Sequence, residues 1–599
     1  MKAWEQEFAV APPESLVASP TTRRADVVTG ALLRAGVGHW FIAPGSRSTP
    51  LVLSVARRGL AHDVLIDERV AGFCAVGAAR VGVVAAIITT SGTAVANLLP
   101  ACCEADADEL PWVACTADRP QRDVELGANQ TLGQQALLAG PCRQVLNLDV
   151  PAPDPGADAA RETELETNQA IDAVVLHLRG PGRGPIHVNV RLDKPLEPPA
   201  GWQTLPLMSG VALKPNDADA DVDHDHVDVD AAVAIRAALS MVNGLVVCGS
   251  LAAAERGPVQ VFIEQLGWPV IADVTSGVVV PTAVLRLSTV ALRSPAVREA
   301  LAPQQVLWLG GLLTEDTVAL WLRQRCVPVL QVQSGRRRRD PFELATQTVV
   351  LSSLSSLSSL ATLLPTARPV AGTVAQQVHR VMAALSTLSD VVLAGPLSEP
   401  AVATLVVSSA RAGDVVFLGN SMPVRDADRF AVVGPGVTII SNRGVSGIDG
   451  CVATGLGAAL ASGRPVTVLL GDLAFLHDLS GVTAVAQANA AVRIVVVNNG
   501  GGGIFSFLPV AGGGVDAAQV ERYFGTPHSL ALSPIARALG LHQRICDDVD
   551  SLRLALADSP QRPEVIEVRT NRLDNTWRHR LLDDEVDRRC AAALEGMQA

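Results

Sequence analysis

Gly471-Asp472 directly follows the apolar run Val466–Leu470, and Asn499 closes a second apolar run, Val492–Val497, 27 positions after Asp472. Neighbouring parallel strands bring such ends together, so the Asp472 carboxylate and the Asn499 amide oxygen are placed to bind one hard cation. Magnesium takes a nearly octahedral shell of oxygens, completed as a rule by phosphates and water. The run Asn498-Asn499-Gly500-Gly501-Gly502-Gly503 offers backbone amides and carbonyls with no side chain in the way, where a diphosphate can come close. Glycines alone read as a tight turn after a strand. The spaced Asp and Asn point instead to a metal and diphosphate site. A further acid, Glu68, stands in Ile66-Asp67-Glu68-Arg69, between a short apolar strand and the small-residue helix Ala71–Val81. By helix physics alone, Asp67 and Glu68 are acids favoured at a helix N-terminus by its dipole.

The elements that must position these groups repeat one pattern of strand, glycine-containing loop and helix. Apolar runs predict parallel strands at His39–Ala43, Val83–Thr89, Trp112–Thr116 and Ile186–Val190, then at Gly244–Gly249, Pro269–Asp273, Gln305–Leu309 and Val327–Val332. A third set lies at Asp414–Gly419, Gly436–Ser441, Pro465–Leu470 and Val492–Asn498. Pro195, Pro198 and Pro199 mark one exit from regular structure, and Pro365–Pro369 a second. The expected fold class is therefore α/β, three successive doubly wound parallel-sheet domains at 1–198, 199–367 and 368–599, with ligands at the carboxyl ends of the strands.

A chain of 599 residues, 48% hydrophobic and 18% charged, is too long for one core and too apolar for disorder. Its net charge of -12 argues against general affinity for nucleic acid or anionic membranes. Anionic ligands must be met by local arginines. Ten cysteines without a C-x-x-C pair, and no apolar stretch long enough to span a bilayer, fit a reducing compartment without membrane insertion; the expectation is cytoplasmic. The acidic stretch Asn216–Asp230, with His224 and His226, reads as a solvated linker rather than a metal site. The Leu-Ser-Ser repeat Leu351–Leu360 reads as a surface connection or poorly specified helix, and the basic run Arg336–Arg339 as a solvated loop.

Gly-Asp-x with Asn-Asn at this spacing resembles the metal-diphosphate signature of thiamine-diphosphate enzymes. The resemblance implies thiamine diphosphate with Mg2+ (or Mn2+) held by Asp472, Asn499 and the carbonyl of Gly501. It also implies cofactor contacts from Gly471, Leu473, Ser91, Gly92, Thr93 and Asn97, with Glu68 as the acid that activates the aminopyrimidine ring. Within that superfamily the chain is most similar to the 2-succinyl-5-enolpyruvyl-6-hydroxy-3-cyclohexene-1-carboxylate synthases, which also share Leu473 where glycine is commoner. The motifs are Ala43-Pro-Gly-Ser-Arg-Ser-Thr-Pro50, Thr90-Ser-Gly-Thr-Ala-Val-Ala-Asn97, Thr116-Ala-Asp-Arg-Pro120 and Gly127-Ala-Asn-Gln130. They continue as Gly419-Asn-Ser-Met-Pro-Val-Arg-Asp426, Ser441-Asn-Arg-Gly-Val-Ser-Gly-Ile-Asp-Gly450 and Gly471-Asp-Leu-Ala-Phe-Leu-His-Asp478.

That resemblance implies decarboxylation of 2-oxoglutarate and conjugate addition of the resulting succinyl carbanion to isochorismate, in menaquinone or phylloquinone biosynthesis. Both substrates are dicarboxylates, which guanidinium groups hold in bidentate pairs. By similarity Ser46, Arg47, Arg119, Gln130, Ser421, Arg425 and Arg443 bind substrates, Arg425 and Arg443 counting with Glu68 as catalytic, and Ile448, Ile504 and Phe505 give an apolar wall. The named domains are pyrimidine-binding, central and diphosphate-binding, and the first of one subunit is expected to face the third of another in a homodimer at minimum, with a homotetramer as the expected assembly. One departure stands out: relatives often carry a basic residue in the stretch matching Gly310–Thr317, where this chain has Glu315 and Asp316, which argues against a central-domain contact to a substrate carboxylate. An acetolactate-synthase relative and a degenerate binding protein are the alternatives. Smaller substrates with fewer arginines mark the first, and intact Glu68, Asp472 and Asn499 weigh against the second.

Overall fold

In the computed structural model, residues 19–595 are described except 153–155, 181, 209–232, 234, 238, 240–243, 280–284 and 362–371. The stretches Asn216–Asp230 and Pro365–Pro369 lie outside the described residues. Three all-parallel sheets follow one another. The first contains β1 (His39–Ile42), β2 (His62–Val64), β3 (Ala85–Thr89), β4 (Trp112–Asp118), β5 (Val145–Leu148) and β6 (Ile186–Arg191), in the order β2-β1-β3-β4-β6-β5. The second contains β7 (Gly244–Cys248), β8 (Val270–Ala272), β9 (Arg286–Leu287), β10 (Gln305–Leu309), β11 (Val329–Ser334) and β12 (Gln347–Leu351), ordered β12-β11-β10-β7-β8-β9. The third contains β13 (Val415–Leu418), β14 (Thr438–Ile440), β15 (Val466–Gly471), β16 (Val492–Asn498), β17 (His542–Cys546) and β18 (Glu564–Arg569), ordered β14-β13-β15-β16-β18-β17. The first and third sheets share one topology. The middle sheet is wound outward from β7 and β10 in the dinucleotide-fold order.

Every strand expected from an apolar run is present, because a strand covered by helices on both faces must be apolar throughout. β3 and β4 are buried along their whole length. The strand expected to be short and apolar before Glu68 is β2, which is mostly exposed at a sheet edge, and the strands without an expected run are β5, β9, β12 and β17 at sheet edges and β18, whose Glu564 and Glu567 break the pattern. Glu564 is neutralised inside the sheet by Arg493 at 2.6 Å, and Glu567 accepts from Ser533 N at 2.7 Å and Asn498 Nδ2 at 2.8 Å.

Helix Glu68–Arg80 packs directly on helix Cys451–Ser462, and this contact joins the first and third units within one chain. A Cβ on Gly77 would stand 1.9 Å from the Thr454 carbonyl, and one on Gly457 2.0 Å from that of Cys74. Only glycine lets the two backbones approach this closely. The buried apolar side chains of both helices continue into the cores under β4 and β15, so one apolar cluster spans both units. A second cluster is shared by the middle and third sheets, closed by the C-terminal helix Arg572–Leu594.

Two expectations need correction. Of the two readings of the Leu-Ser-Ser repeat the helical one holds and the surface connection does not: a 3-10 turn, Leu354–Ser356, leads into helix Leu357–Ala361, and Leu354 and Leu357 are both 0% exposed in the middle core. Ser353 caps the turn by accepting from Ser355 N, so the serines satisfy backbone while the leucines pack. Nor is Arg336–Arg339 simply solvated. Arg337 pairs with Asp106, Arg339 with Asp108 at 3.3 Å, and the Arg336 and Arg337 amides donate to Glu109. Three acids at and just beyond the end of helix Leu99–Ala107, Asp106, Asp108 and Glu109, give this run a partner in the first unit.

Candidate active site

All the expected site residues lie at the carboxyl ends of strands, in two groups. In the third unit, β15 ends at Gly471 and helix Asp472–His477 begins at once, with Asp472 2% exposed. Its Oδ1 accepts from Leu473 N at 2.7 Å and its Oδ2 from Gly501 N at 2.9 Å. Burial raises the Asp472 carboxyl above its ordinary value, and the Gly501 amide and the nearby His528 oppose that shift. Gly501 has φ +143°, and a Cβ there would meet the Gly525 carbonyl at 2.2 Å, so this bend after β16 requires glycine.

Asn499 donates through Nδ2 to Glu399 Oε1 at 2.8 Å, which fixes the amide orientation. Its Oδ1 is buried and has no hydrogen-bond partner among the described residues. A buried acceptor left without a donor costs free energy unless something else fills the role. Beside the Asp472 carboxylate and the Gly501 carbonyl, this oxygen completes a set of hard donors that fits a divalent cation. Side-chain clustering of His, Cys, Asp and Glu does not reveal the set among the described residues, because two of its three donors are an amide and a carbonyl.

Glu399 and His528 carried no sequence signal. Glu399 opens helix Glu399–Ser409, 100 residues before Asn499, and burial followed by the charge of Asp426 pushes its carboxyl up to about 8. His528 Nε2 lies 3.1 Å from Asp472 Oδ2. Only the fold brings either one to the site.

After β13 and β14 come the loops with Ser421, Arg425 and Arg443. Ser421 has φ +74°, a left-handed conformation that a non-glycine residue adopts at a cost of roughly 1–3 kcal/mol. Arg425 Nη1 donates to the Ser421 carbonyl at 2.6 Å, and Arg443 Nη1 to Asn420 Oδ1 at 3.0 Å. Burial, then the charge of Arg425, lowers the Arg443 guanidinium from its usual value, so the two cations are neighbours. They line a pocket of about 190 Å³ whose other wall is Leu312–Asp316, Arg339 and Phe342 of the middle unit. The middle unit thus does face the arginine pair, with Glu315 itself engaged by Arg293 at 3.0 Å. Ile504 and Phe505 follow Asn499 in a 3-10 turn, with the Phe505 ring 5.5 Å from that of Phe524, whereas Ile448 packs against the shared core.

The first unit holds the other group. Asp67 caps helix Glu68–Arg80 by accepting from Arg69 N at 2.9 Å, so Glu68 is not needed as the cap. Among the described residues the Glu68 carboxylate receives only a long hydrogen bond, 3.4 Å, from Asn97 Nδ2. Ser91 and Gln130 brace each other, Ser91 Oγ donating to the Gln130 carbonyl at 2.8 Å and Gln130 Nε2 to the Ser91 carbonyl at 3.0 Å. Gly92, at φ +80°, precedes the short helix Thr93–Ala96. Arg47 is buried and donates to the Leu192 carbonyl, Ser46 beside it is exposed, and burial followed by the charge of Arg119 lowers the Arg47 guanidinium. The Arg119 Nε is buried without a partner among the described residues. Among the described residues no hydrogen bond or ion pair joins the two groups within one chain.

Three family models match along the chain: the N-terminal TPP binding domain of thiamine pyrophosphate enzymes over residues 22–137, the middle domain over 229–417 and the C-terminal TPP binding domain over 424–568. The 2-succinyl-5-enolpyruvyl-6-hydroxy-3-cyclohexene-1-carboxylate synthase of Rubrobacter xylanophilus is 38% identical over 576 residues, 92% of this chain and 96% of the relative. The chain belongs to this synthase family. Synthases of the same name from Salinibacter ruber and Chlorobaculum tepidum are 36% and 34% identical, each over 95% of this chain and 97% of the relative. As a member of the synthase family the enzyme uses thiamine diphosphate, and the acetolactate-type and non-catalytic alternatives give way.

Proposed function

We propose that the two groups close on one another across a subunit interface, Glu68 and its neighbours in one chain facing Asp472 and its neighbours in the partner. The minimum unit is then a homodimer, assembled further into a homotetramer in the cytoplasm. Units bounded near residues 198 and 367 serve as pyrimidine-binding, central and diphosphate-binding domains. The reaction is decarboxylation of 2-oxoglutarate and conjugate addition of the succinyl unit to isochorismate, yielding 2-succinyl-5-enolpyruvyl-6-hydroxy-3-cyclohexene-1-carboxylate and carbon dioxide in menaquinone biosynthesis.

Thiamine diphosphate, when bound, supplies the carbon nucleophile and the electron sink. Asp472, Asn499 Oδ1 and the Gly501 carbonyl would hold Mg2+ or Mn2+, which would supply positive charge to a diphosphate. Gly471, Leu473, Ser91, Gly92, Thr93 and Asn97 shape the remainder of the cofactor cradle. Glu68 shares a proton between its carboxylate and the pyrimidine ring. Arg47, Arg119, Arg425 and Arg443, with Ser46, Gln130 and Ser421, bind the substrate carboxylates, and Ile504, Phe505 and Ile448 exclude water.

One observation carries the reading: both groups contain a pair of neighbouring, part-buried guanidinium groups, Arg47 with Arg119 and Arg425 with Arg443. Protein carboxylates also act on each pair, Asp123, Asp193 and Asp118 on Arg47 and Asp273, Asp108 and Glu104 on Arg443, and a dicarboxylate substrate adds an anion that paired guanidinium groups can hold. Arg425→Ala or Arg443→Ala is expected to cost roughly 2–5 kcal/mol in kcat/KM for 2-oxoglutarate or isochorismate, with little change in thiamine diphosphate affinity. Wild-type use of pyruvate as readily as 2-oxoglutarate, together with unaffected variants, would end the succinyl-transfer reading.

A further inference from the structure

The loop that carries Arg443 is not held by its own unit alone. Glu104, on helix Leu99–Ala107 of the first unit, is 1% exposed and accepts from Gly444 N at 2.9 Å and Val445 N at 2.8 Å. It also accepts from Arg80 Nη2 at 2.6 Å, while Arg80 Nε donates to Asn442 Oδ1 at 3.0 Å and Nη2 to Asp108 at 2.8 Å. Residues 442, 444 and 445 are thus gripped from the first unit on both sides of Arg443. Gly444 sits so close that a Cβ would stand 2.6 Å from the Glu104 carbonyl. From its own unit, Asn420 Nδ2 donates to the Asn442 and Gly447 carbonyls at 2.6 and 2.7 Å, and its Oδ1 accepts from the Arg443 guanidinium at 3.0 Å.

We infer that Glu104, with Arg80, is a positioning residue that fixes the backbone of the Arg443 loop and thereby aims the Arg443 guanidinium at its carboxylate. A loop whose two amides and one side chain are tied to a buried carboxylate and its arginine has little freedom to swing, and a preset side chain loses less entropy on binding. Helix Glu68–Arg80 carries Glu68 at one end and Arg80 at the other, so a single rigid element sets the cofactor acid of one site and the substrate loop of the other. Nothing in the sequence flags Glu104, which lies 340 residues from Gly444.

This inference rests on the assignment of Arg443 to substrate binding, and a double-mutant cycle on the holoenzyme separates the two claims. Glu104→Ala, Arg443→Ala and the double variant are compared by kcat/KM for 2-oxoglutarate and isochorismate and by thiamine diphosphate affinity; if Glu104→Ala does not yield folded protein, Glu104→Gln takes its place. With Arg443 present, the Glu104 change is expected to lower kcat/KM roughly tenfold or more, and in the Arg443→Ala background less than about twofold. Cofactor affinity is expected to stay within about twofold throughout. An equal loss in both backgrounds means that Glu104 acts only on the fold, and the inference fails while the function stands. An Arg443→Ala variant with wild-type kcat/KM overturns the assignment of Arg443 itself.

Discussion

Glu68 stands at the first turn of its helix with the capping done by its neighbour Asp67, so its carboxylate is left to a ligand rather than to the backbone. Replacing it with glutamine keeps shape and polarity and removes the ability to hold the shared proton. Glu68→Gln is therefore expected to bind thiamine diphosphate nearly as wild type while turnover slows by about a hundredfold or more. Near-normal turnover would remove Glu68 from the mechanism. Much of this site was legible in the sequence because strand ends announce themselves: an apolar run followed by Gly-Asp or Asn-Asn-Gly states both where the strand stops and which donors follow. Glu399, His528 and Glu104 were not legible, since each meets its partner only through the fold, and a buried acid on a helix reads the same as a solvated one.

The sheet elements show the same division. Central strands are readable from hydrophobic periodicity, whereas edge strands such as β2, half wetted, and a charged inner strand such as β18 depend on neighbours for their stability. Within the first sheet, His187 on β6 is buried, and burial lowers its imidazole from 6.5 to about 3. Its Nε2 meets Thr116 Oγ1 at 2.7 Å, and its Nδ1 has no partner among the described residues. The folded protein keeps this ring neutral while the unfolded chain protonates it, so the unfolded state takes up more protons below pH 6.5 and stability falls as pH drops toward 3. At pH 5 the loss from this one group is about 2 kcal/mol. Melting temperatures at pH 7 and pH 5 are expected to differ less in His187→Asn than in wild type. An unchanged difference would show that the ring is already solvated.

On the scale of the whole molecule, one chain presents Glu68 and Asp472 in separate groups, and the shared helix pair Glu68–Arg80 and Cys451–Ser462 holds their units in a fixed relation. If the partner subunit completes each site, co-expressed Glu68→Gln and Asp472→Ala chains form heterodimers with one intact site. Such a mixture is expected to recover about a quarter of wild-type activity, as random pairing of subunits dictates. Recovery absent from folded, mixed dimers would place both residues of a site in one chain.

The central claim is the joining of two dicarboxylates with loss of carbon dioxide, and one incubation tests it. Purified enzyme with thiamine diphosphate, magnesium, 2-oxoglutarate and isochorismate is followed by ultraviolet loss of isochorismate and by mass spectrometry. The expected product carries the succinyl unit of 2-oxoglutarate on the isochorismate ring, forms in step with carbon dioxide and is absent when pyruvate replaces 2-oxoglutarate. Isochorismate left unchanged while 2-oxoglutarate is consumed, or an equally rapid adduct with pyruvate, would contradict the claim.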